Sequence, residues 1–418
     1  MIATEVWFTI MRSVSERTKA LKGSPIRRLV PLAVAARKRG IHVYHLNIGQ
    51  PDIPTPASFM QGVREAKIDV LSYAPAQGIP ETIQAMLHFY ADMGIELSED
   101  NLRVTIGGSE AFAFALQTTC NPGDEVLIPE PFYPNYSGHA LMNGINVVPI
   151  TTRIEDGFHL PSIEEIEKLI TPKTAAILFS TPGNPTGVAY TREEMEAVGR
   201  LAIKHNLFVI SDEPYRELMY EGHATSILEI PGLEEHAILV DSVSKRLSAC
   251  GARIGCVVTR NPDVITSINK LCMIRLSAPT FEQLGLVSFL NDPNYKAEIE
   301  QMRQKFHSRR DTLFDALQTI PGAICRKPEG AFYIFVKLPQ IDCSESFVKF
   351  MLNDFNLDGE TTMVAPGAGF YATPDVGNDE IRIAYVLEES KLVRAVEVLK
   401  AGLEAYAQTR EQVATAAD

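Results

Sequence analysis

With 418 residues the chain is long enough for two or three domains and for large buried cores. A hydrophobic fraction of 45% and a charged fraction of 22% exclude a disordered chain, a collagen-like fibre and a small disulfide scaffold. Acidic residues outnumber basic ones, 52 to 39, for a net charge of −13; with no basic block present, neither nucleic acid nor an anionic membrane is expected as the main partner.

The N-terminal segment has Glu5 inside its short apolar stretch, and no secretory signal pattern follows. A Ser-Pro start and Gly40 as a stop predict a helix over Ser24–Arg39, despite Pro31. From there strands alternate with helices. Arg103–Ile106 reads as a strand, Gly107-Gly108 as a turn and Ser109–Cys120 as a helix. After the turn at Asn121-Pro122-Gly123-Asp124 come strand-like runs at Glu125–Ile128, Thr174–Ser180, Leu207–Ser211, Ala237–Val243 and Arg253–Thr259, with a helix over Arg192–His205 among them. The charge-free run Pro131–Thr152 holds three prolines and two glycines and is no membrane span. A long amphipathic helix follows from about Asn294 to Gln318. Then come Gly330–Leu338, a helix near Ser344–Phe355, a strand over Glu380–Val386 and a final helix from about Glu388 to Ala407, with Gln412–Asp418 frayed.

This pattern predicts an α/β fold with a mostly parallel central sheet flanked by helices. The expected division is a large domain over 50–295 and a smaller α+β domain built from 1–49 and 296–418. The six cysteines (Cys120, Cys250, Cys256, Cys272, Cys325 and Cys343) form no CxxC pair. They read as thiols of a reducing compartment, so a cytoplasmic protein with no metal is expected.

Four signals close predicted strands. Gly107-Gly108-Ser109-Glu110 opens a helix and suits a phosphate, because free N–H groups and the helix dipole favour an anion. Ser180-Thr181-Pro182-Gly183-Asn184-Pro185-Thr186-Gly187 lies at the sheet edge where α/β proteins bind ligands. Asp212, in Ser211-Asp212-Glu213-Pro214-Tyr215, needs a cationic partner or caps a helix. Lys245, in Ser242-Val243-Ser244-Lys245, suits a Schiff-base nucleophile, with Arg253 eight residues on. Alone, each reads as well as an ordinary turn or a surface charge.

Taken in this order, the four signals resemble the fold-type I, class I aminotransferases that use pyridoxal 5′-phosphate, and the resemblance runs from Asn47-Ile48-Gly49-Gln50-Pro51-Asp52 to Arg382. It implies that Lys245 binds the cofactor and shuttles the proton, while Asp212 pairs with the pyridine nitrogen. Tyr215 and Asn184 would hydrogen-bond the ring oxygen. Gly108, Ser109, Glu110, Ser242, Ser244 and Arg253 would hold the phosphate. Tyr133 stands where many relatives stack a tryptophan on the ring. Tyr73 resembles the tyrosine that reaches the phosphate of a neighbouring subunit, which implies a homodimer. Arg382 matches the arginine that grips the substrate α-carboxylate, with Gly49 covering it and Asn184 adjoining.

The resemblance implies ping-pong transamination between an L-amino acid and a 2-oxo acid. For the side chain, the lysine that one aspartate group carries in the phosphate turn is here Ser109. Arg275, before Ser277-Ala278-Pro279, is the candidate for binding a distal carboxylate across the dimer, which makes aspartate the first expectation. Alternatives are an aromatic or broad-specificity aminotransferase and a carbon–sulfur β-lyase on the same scaffold. A PLP-binding regulator would need a DNA-binding domain, for which the residues before Asn47 are too few and too weakly basic.

Overall fold

The computed structural model describes residues 13–417; the reading of the stretch around Glu5 falls outside the described residues, as does Asp418. In chain order the first strands are β1 (His42–His45), β2 (Leu102–Ile106), β3 (Glu125–Glu130), β4 (Asn146–Thr151), β5 (Thr174–Ser180), β6 (Phe208–Asp212), β7 (Ala237–Ser242) and β8 (Ile254–Val258). Seven of them form one sheet in the order β2-β8-β7-β6-β5-β3-β4. From β4 to β7 every pairing is parallel. β8 alone is reversed, antiparallel to both β7 and β2.

Side chains alternate across a strand, and both faces of this sheet are covered. Ile177, Val209 and Leu239 enter one apolar cluster, while their neighbours Leu178, Ile210 and Val240 enter another. That double burial is why these strands read as continuous apolar runs. The helices between them have local causes. Arg192–His205 starts at Thr191, whose hydroxyl accepts from Glu194 N–H while the Glu194 carboxylate returns to Thr191, and it stops at Asn206, a left-handed residue at φ 53°. The helix Gly107–Thr119 instead follows β2 directly and has no side-chain cap, so its first N–H groups remain open.

The later strands are β9 (Ile324–Cys325), β10 (Tyr333–Lys337), β11 (Glu360–Met363), β12 (Ala365–Pro366) and β13 (Glu380–Ala384). They build an antiparallel sheet β12-β13-β10-β9, while β11 pairs in parallel with β1. Helices Val30–Lys38, Tyr295–Leu317, Ser344–Asn353 and Glu389–Ala417 pack here around a core that includes Leu29, Phe306, Leu313, Phe347 and Leu399. The N-terminal helix begins at Val30, with Pro31 in its first turn, later than the Ser-Pro signal suggested. The last helix runs past Ala407 and through Ala417, into the Gln412–Asp418 stretch that was expected to fray; alanine, glutamine, glutamate and arginine, good helix formers, predominate there. Among the described residues no helix is long and apolar enough to cross a membrane.

Candidate active site

A cavity of about 530 Å³ opens at the C-terminal edge of the parallel strands. Strand ends deliver its polar groups: Ser180 closes β5, Asp212 closes β6 and Ser242 closes β7. Because β8 runs backwards, its beginning lies at this same edge, and Ser242 is opposite Gly255 in the register. Arg253 therefore arrives beside Gly108 and Ser242, all three lining the cavity.

The anion seat is built from that meeting. Gly107 has φ 71°, a conformation that glycine adopts without strain, and a Cβ on it would lie 2.2 Å from an Arg253 guanidinium nitrogen. A larger residue there would be strained in this left-handed backbone and would displace the Arg253 guanidinium. Arg253 is held by the carbonyls of Cys250 at 3.1 Å and Ile106 at 3.4 Å. Ser242 Oγ and Ser244 Oγ are 2.8 Å apart. With the uncapped helix N-terminus at Gly108 and Ser109, these donors face a common space.

Asp212 accepts from the Tyr136 hydroxyl at 2.5 Å. Burial pushes its carboxyl up to about 7, reinforced by the charges of Asp241 and Glu213 and opposed by the Tyr136 hydrogen bond and Lys245. A buried carboxylate so disposed favours a cation against it. Lys245 Nζ donates to the Gly49 carbonyl at 2.9 Å and lies 5.8 Å from the centre of the Phe332 ring. The next residue, Arg246, is fully buried and fastened: its guanidinium meets Asp241 at 2.6 Å and Glu217 at 2.9 Å, and the Tyr90 hydroxyl donates to the same Asp241 oxygen at 2.7 Å.

Arg382 is 1% exposed. It donates to Asn184 Oδ1 at 2.9 Å and to the Asn47 carbonyl, and its guanidinium lies 4.5 Å from the Tyr333 ring centre and 5.0 Å from that of Phe370. Its Nε has no partner among the described residues, and burial lowers its pKa. A buried donor left unmatched is costly unless a ligand satisfies it. The Tyr215 hydroxyl is 3.0 Å from that of Tyr333. Burial, and then Tyr333 beside it, hold the Tyr215 phenol well above its usual range. Gly49 sits so close that a Cβ would fall 1.9 Å from the Tyr333 hydroxyl. Tyr133, raised to about 12 by burial, accepts from Asn135 at 2.7 Å.

Lys245, Asp212, Tyr215, Asn184, Tyr133, Gly49 and Arg382 thus share the cavity with the anion seat. Three residues singled out in the sequence do not line it. Tyr73 is 80% exposed on the surface. The Glu110 carboxylate accepts from Ile106 N–H at 2.8 Å and from Arg275 at 2.7 Å, which turns its side chain back onto the start of its own helix. Arg275 also donates to the carbonyls of Ala76 at 2.9 Å and Val104 at 3.2 Å. Within its own chain the Arg275 guanidinium is thus engaged by a carboxylate and two carbonyls. Tyr136, Tyr333 and Arg27 line the cavity without having been singled out. Tyr136 sits three residues beyond Tyr133 in the aromatic-rich run Phe132-Tyr133-Pro134-Asn135-Tyr136, which was the available signal for it.

The family model described as aminotransferase class I and II matches residues 41–399. The aspartate/prephenate aminotransferase of Thermus thermophilus is 31% identical over 393 residues, covering 93% of this chain and 98% of that one. The aromatic-amino-acid aminotransferase 2 of Thermococcus litoralis is 30% identical, covering 92% and 97%. The solved structure of the Thermus thermophilus aspartate aminotransferase with maleate superposes with a TM-score of 0.85 at 29% identity, covering 94% of this chain and all of that one. Members of this family depend on pyridoxal phosphate, and the residues present fit that group: an arginine-backed glycine cradle for its phosphate, an acid for its ring nitrogen and a lysine between them. The chain belongs to the class I and II aminotransferase family and is a pyridoxal-phosphate-dependent transaminase.

Proposed function

We propose that the enzyme moves the amino group of an L-amino acid, aspartate first among the donors, to a 2-oxo acid such as 2-oxoglutarate by a ping-pong mechanism. The observation that carries this reading is the convergence of Lys245 Nζ, the buried Asp212 carboxylate and the unpartnered Nε of Arg382 on one cavity. The relatives named for aspartate, and the neighbour solved with maleate, support the choice of donor.

When bound, pyridoxal phosphate supplies the carbonyl carbon that takes up the amino group and the ring that draws electrons from it. The chain's own residues do the rest. Arg253, Ser242, Ser244 and the N–H groups of Gly108 and Ser109 hold the phosphate through charge-assisted bonds. Asp212 holds a proton on the ring nitrogen by presenting a charge that burial otherwise suppresses. Asn184 spends its Oδ1 on Arg382, which leaves its Nδ2 to donate, with the Tyr215 hydroxyl, to the ring oxygen. Arg382 uses Nε and one terminal nitrogen on the substrate α-carboxylate and so orients the Cα–H bond. Lys245 Nζ would move the proton between the substrate Cα and the cofactor's carbonyl carbon, two bonds away across the amino nitrogen; the Gly49 carbonyl fixes where the lysine nitrogen rests.

The working unit is a homodimer. Val70, Leu71 and Tyr73, together with Met273, Ile274 and Leu276, are large apolar side chains left exposed, and a second copy would cover them. The part built from 1–49 and 296–418 acts as the smaller domain and carries Arg382. Six free thiols support a cytoplasmic location. A panel of amino donors with 2-oxoglutarate, followed by glutamate formation, tests the reading. Aspartate should lead; release of ammonia and pyruvate from cystathionine, with no transamination, would overturn it in favour of a β-lyase.

A further inference from the structure

The cavity holds one cation more than the proposed chemistry uses. Among its lining residues are four cationic side chains, Arg27, Lys245, Arg253 and Arg382, against a single carboxylate, Asp212. His139 adds no charge at neutral pH, because burial lowers its pKa. Arg253 answers the phosphate, Arg382 the α-carboxylate and Lys245 the transferred proton. Arg27 has no such task.

Its neighbours in sequence explain why this side chain is free. The Ile26 carbonyl accepts from the buried Asn47 amide at 2.8 Å, and Pro25 lies against Gly369, where a Cβ would meet the proline ring at 2.2 Å. On the other side Arg28 is bound to Glu345. The segment is therefore pinned before and after Arg27. Of the other arginines nearby, Arg17 is engaged with the Met142 carbonyl and Arg28 is paired. Among the described residues, no hydrogen bond or ion pair engages the Arg27 guanidinium. It lines the same cavity as Tyr133, whose hydroxyl feels the charges of both Arg382 and Arg27. Arg27 and Arg382 thus both lie within electrostatic reach of Tyr133 in this cavity, Arg27 at its exposed side. The group expected to read a distal carboxylate, Arg275, is consumed by Glu110 and two carbonyls.

We infer that Arg27, from the same chain, is the specificity-determining residue that binds the side-chain carboxylate of acidic amino acids and of their 2-oxo acids. This rests on the aspartate reading above and names the group responsible for it. A guanidinium suits the task because its planar fork matches a carboxylate. No catalytic step passes through it.

The test uses the holoenzyme and the variants Arg27→Ala and Arg27→Lys. In Arg27→Ala, kcat/KM for aspartate and glutamate should fall about 10- to 100-fold, the usual worth of a hydrogen bond to a charged group. Most of the loss should appear in KM, with alanine and phenylalanine changed less than about twofold. Arg27→Lys should fall between. Equilibrium binding of maleate, which cannot react, should weaken by a similar factor, while propionate binding stays unchanged. An equal loss for aspartate and phenylalanine, no loss for either, or wild-type binding of maleate no tighter than of propionate overturns the inference. If the wild type transaminates no donor, the functional reading fails, and the maleate arm still decides the role of Arg27.

Discussion

Replacing Arg382 by alanine separates what that residue does for every substrate from what it does for the fold. The catalytic loss follows from a buried ion pair with the α-carboxylate: truncating one partner of such a pair costs about 2–5 kcal/mol, or roughly 30-fold to several thousand-fold in kcat/KM. The structural loss has a separate source. Asn184 Oδ1 and the Asn47 carbonyl lose their donor, at about 1–3 kcal/mol for each buried acceptor left unmatched. The faces of Tyr333 and Phe370 lose the cation lying over them. Thermal unfolding should register that second loss independently of turnover. The assay is kcat/KM for aspartate, alanine and phenylalanine with 2-oxoglutarate, at a temperature where the variant remains folded. Since every amino acid carries an α-carboxylate, the three losses should agree within about threefold. A loss confined to one donor, or losses below about threefold throughout, would refute the assignment. Arg382→Lys should retain part of the charge interaction and lose the fork.

Other perturbations read the rest of the site. Borohydride reduction of the holoenzyme followed by peptide mapping should place the pyridoxyl group on Lys245; a label on another lysine would remove it from its role. Asp212→Asn should nearly abolish transamination while cofactor remains bound, and near-wild-type turnover would contradict the pairing with the ring nitrogen. The same variant has a pH signature in cofactor-free protein. Asp212 has its pKa raised from 3.8 to about 7, so the folded chain keeps a proton that the unfolded chain has released. Stability is therefore lost as pH rises from about 4 to 7. Glu213 and Glu380, also raised to about 7 by burial, share that window, so Asp212→Asn should flatten the fall in Tm without removing it; an unchanged slope would contradict the shift. Gly107→Ala forces a Cβ onto the Arg253 guanidinium and a side chain into left-handed backbone, so cofactor affinity, measured by dialysis and absorbance, should drop about tenfold or more; wild-type retention would sink the cradle argument.

Much of the central sheet was readable because its strands, buried on two faces, leave dense β-branched runs between turn residues. The reversal of β8 was not readable, since Arg253–Thr259 has the same composition whichever way it runs. β1 escaped notice because its partner β11 lies more than 300 residues away and neither has an apolar pattern of its own: His42–His45 and Glu360–Met363 are mixed in polarity. At the site, residues in local motifs (Asn184, Asp212 and Lys245) stood out at strand ends, and the family resemblance those motifs carry implied their roles. Residues whose role depends on distant partners could not be read this way. Arg275 drew attention for its position before Ser277, but the Glu110 carboxylate that occupies it comes from 165 residues away. Arg27 stands beside Arg28 in the sequence with nothing to tell them apart; only Glu345, on a helix of the other end, separates the engaged arginine from the free one.

The fastening of Arg246 bears on how Lys245 can work. A residue that must take a proton from one atom and release it at another has to travel, yet the backbone that carries it cannot drift without spoiling the aim. Here the adjoining residue is bolted to Asp241 and Glu217 beneath the cavity, so the travel is confined to the four methylenes of the lysine. The arrangement is a short swinging arm on a fixed mount. Loosening the bolt would leave every group in the cavity chemically intact and still broaden the arc through which Nζ moves, and an effective concentration that depends on a narrow arc falls with it.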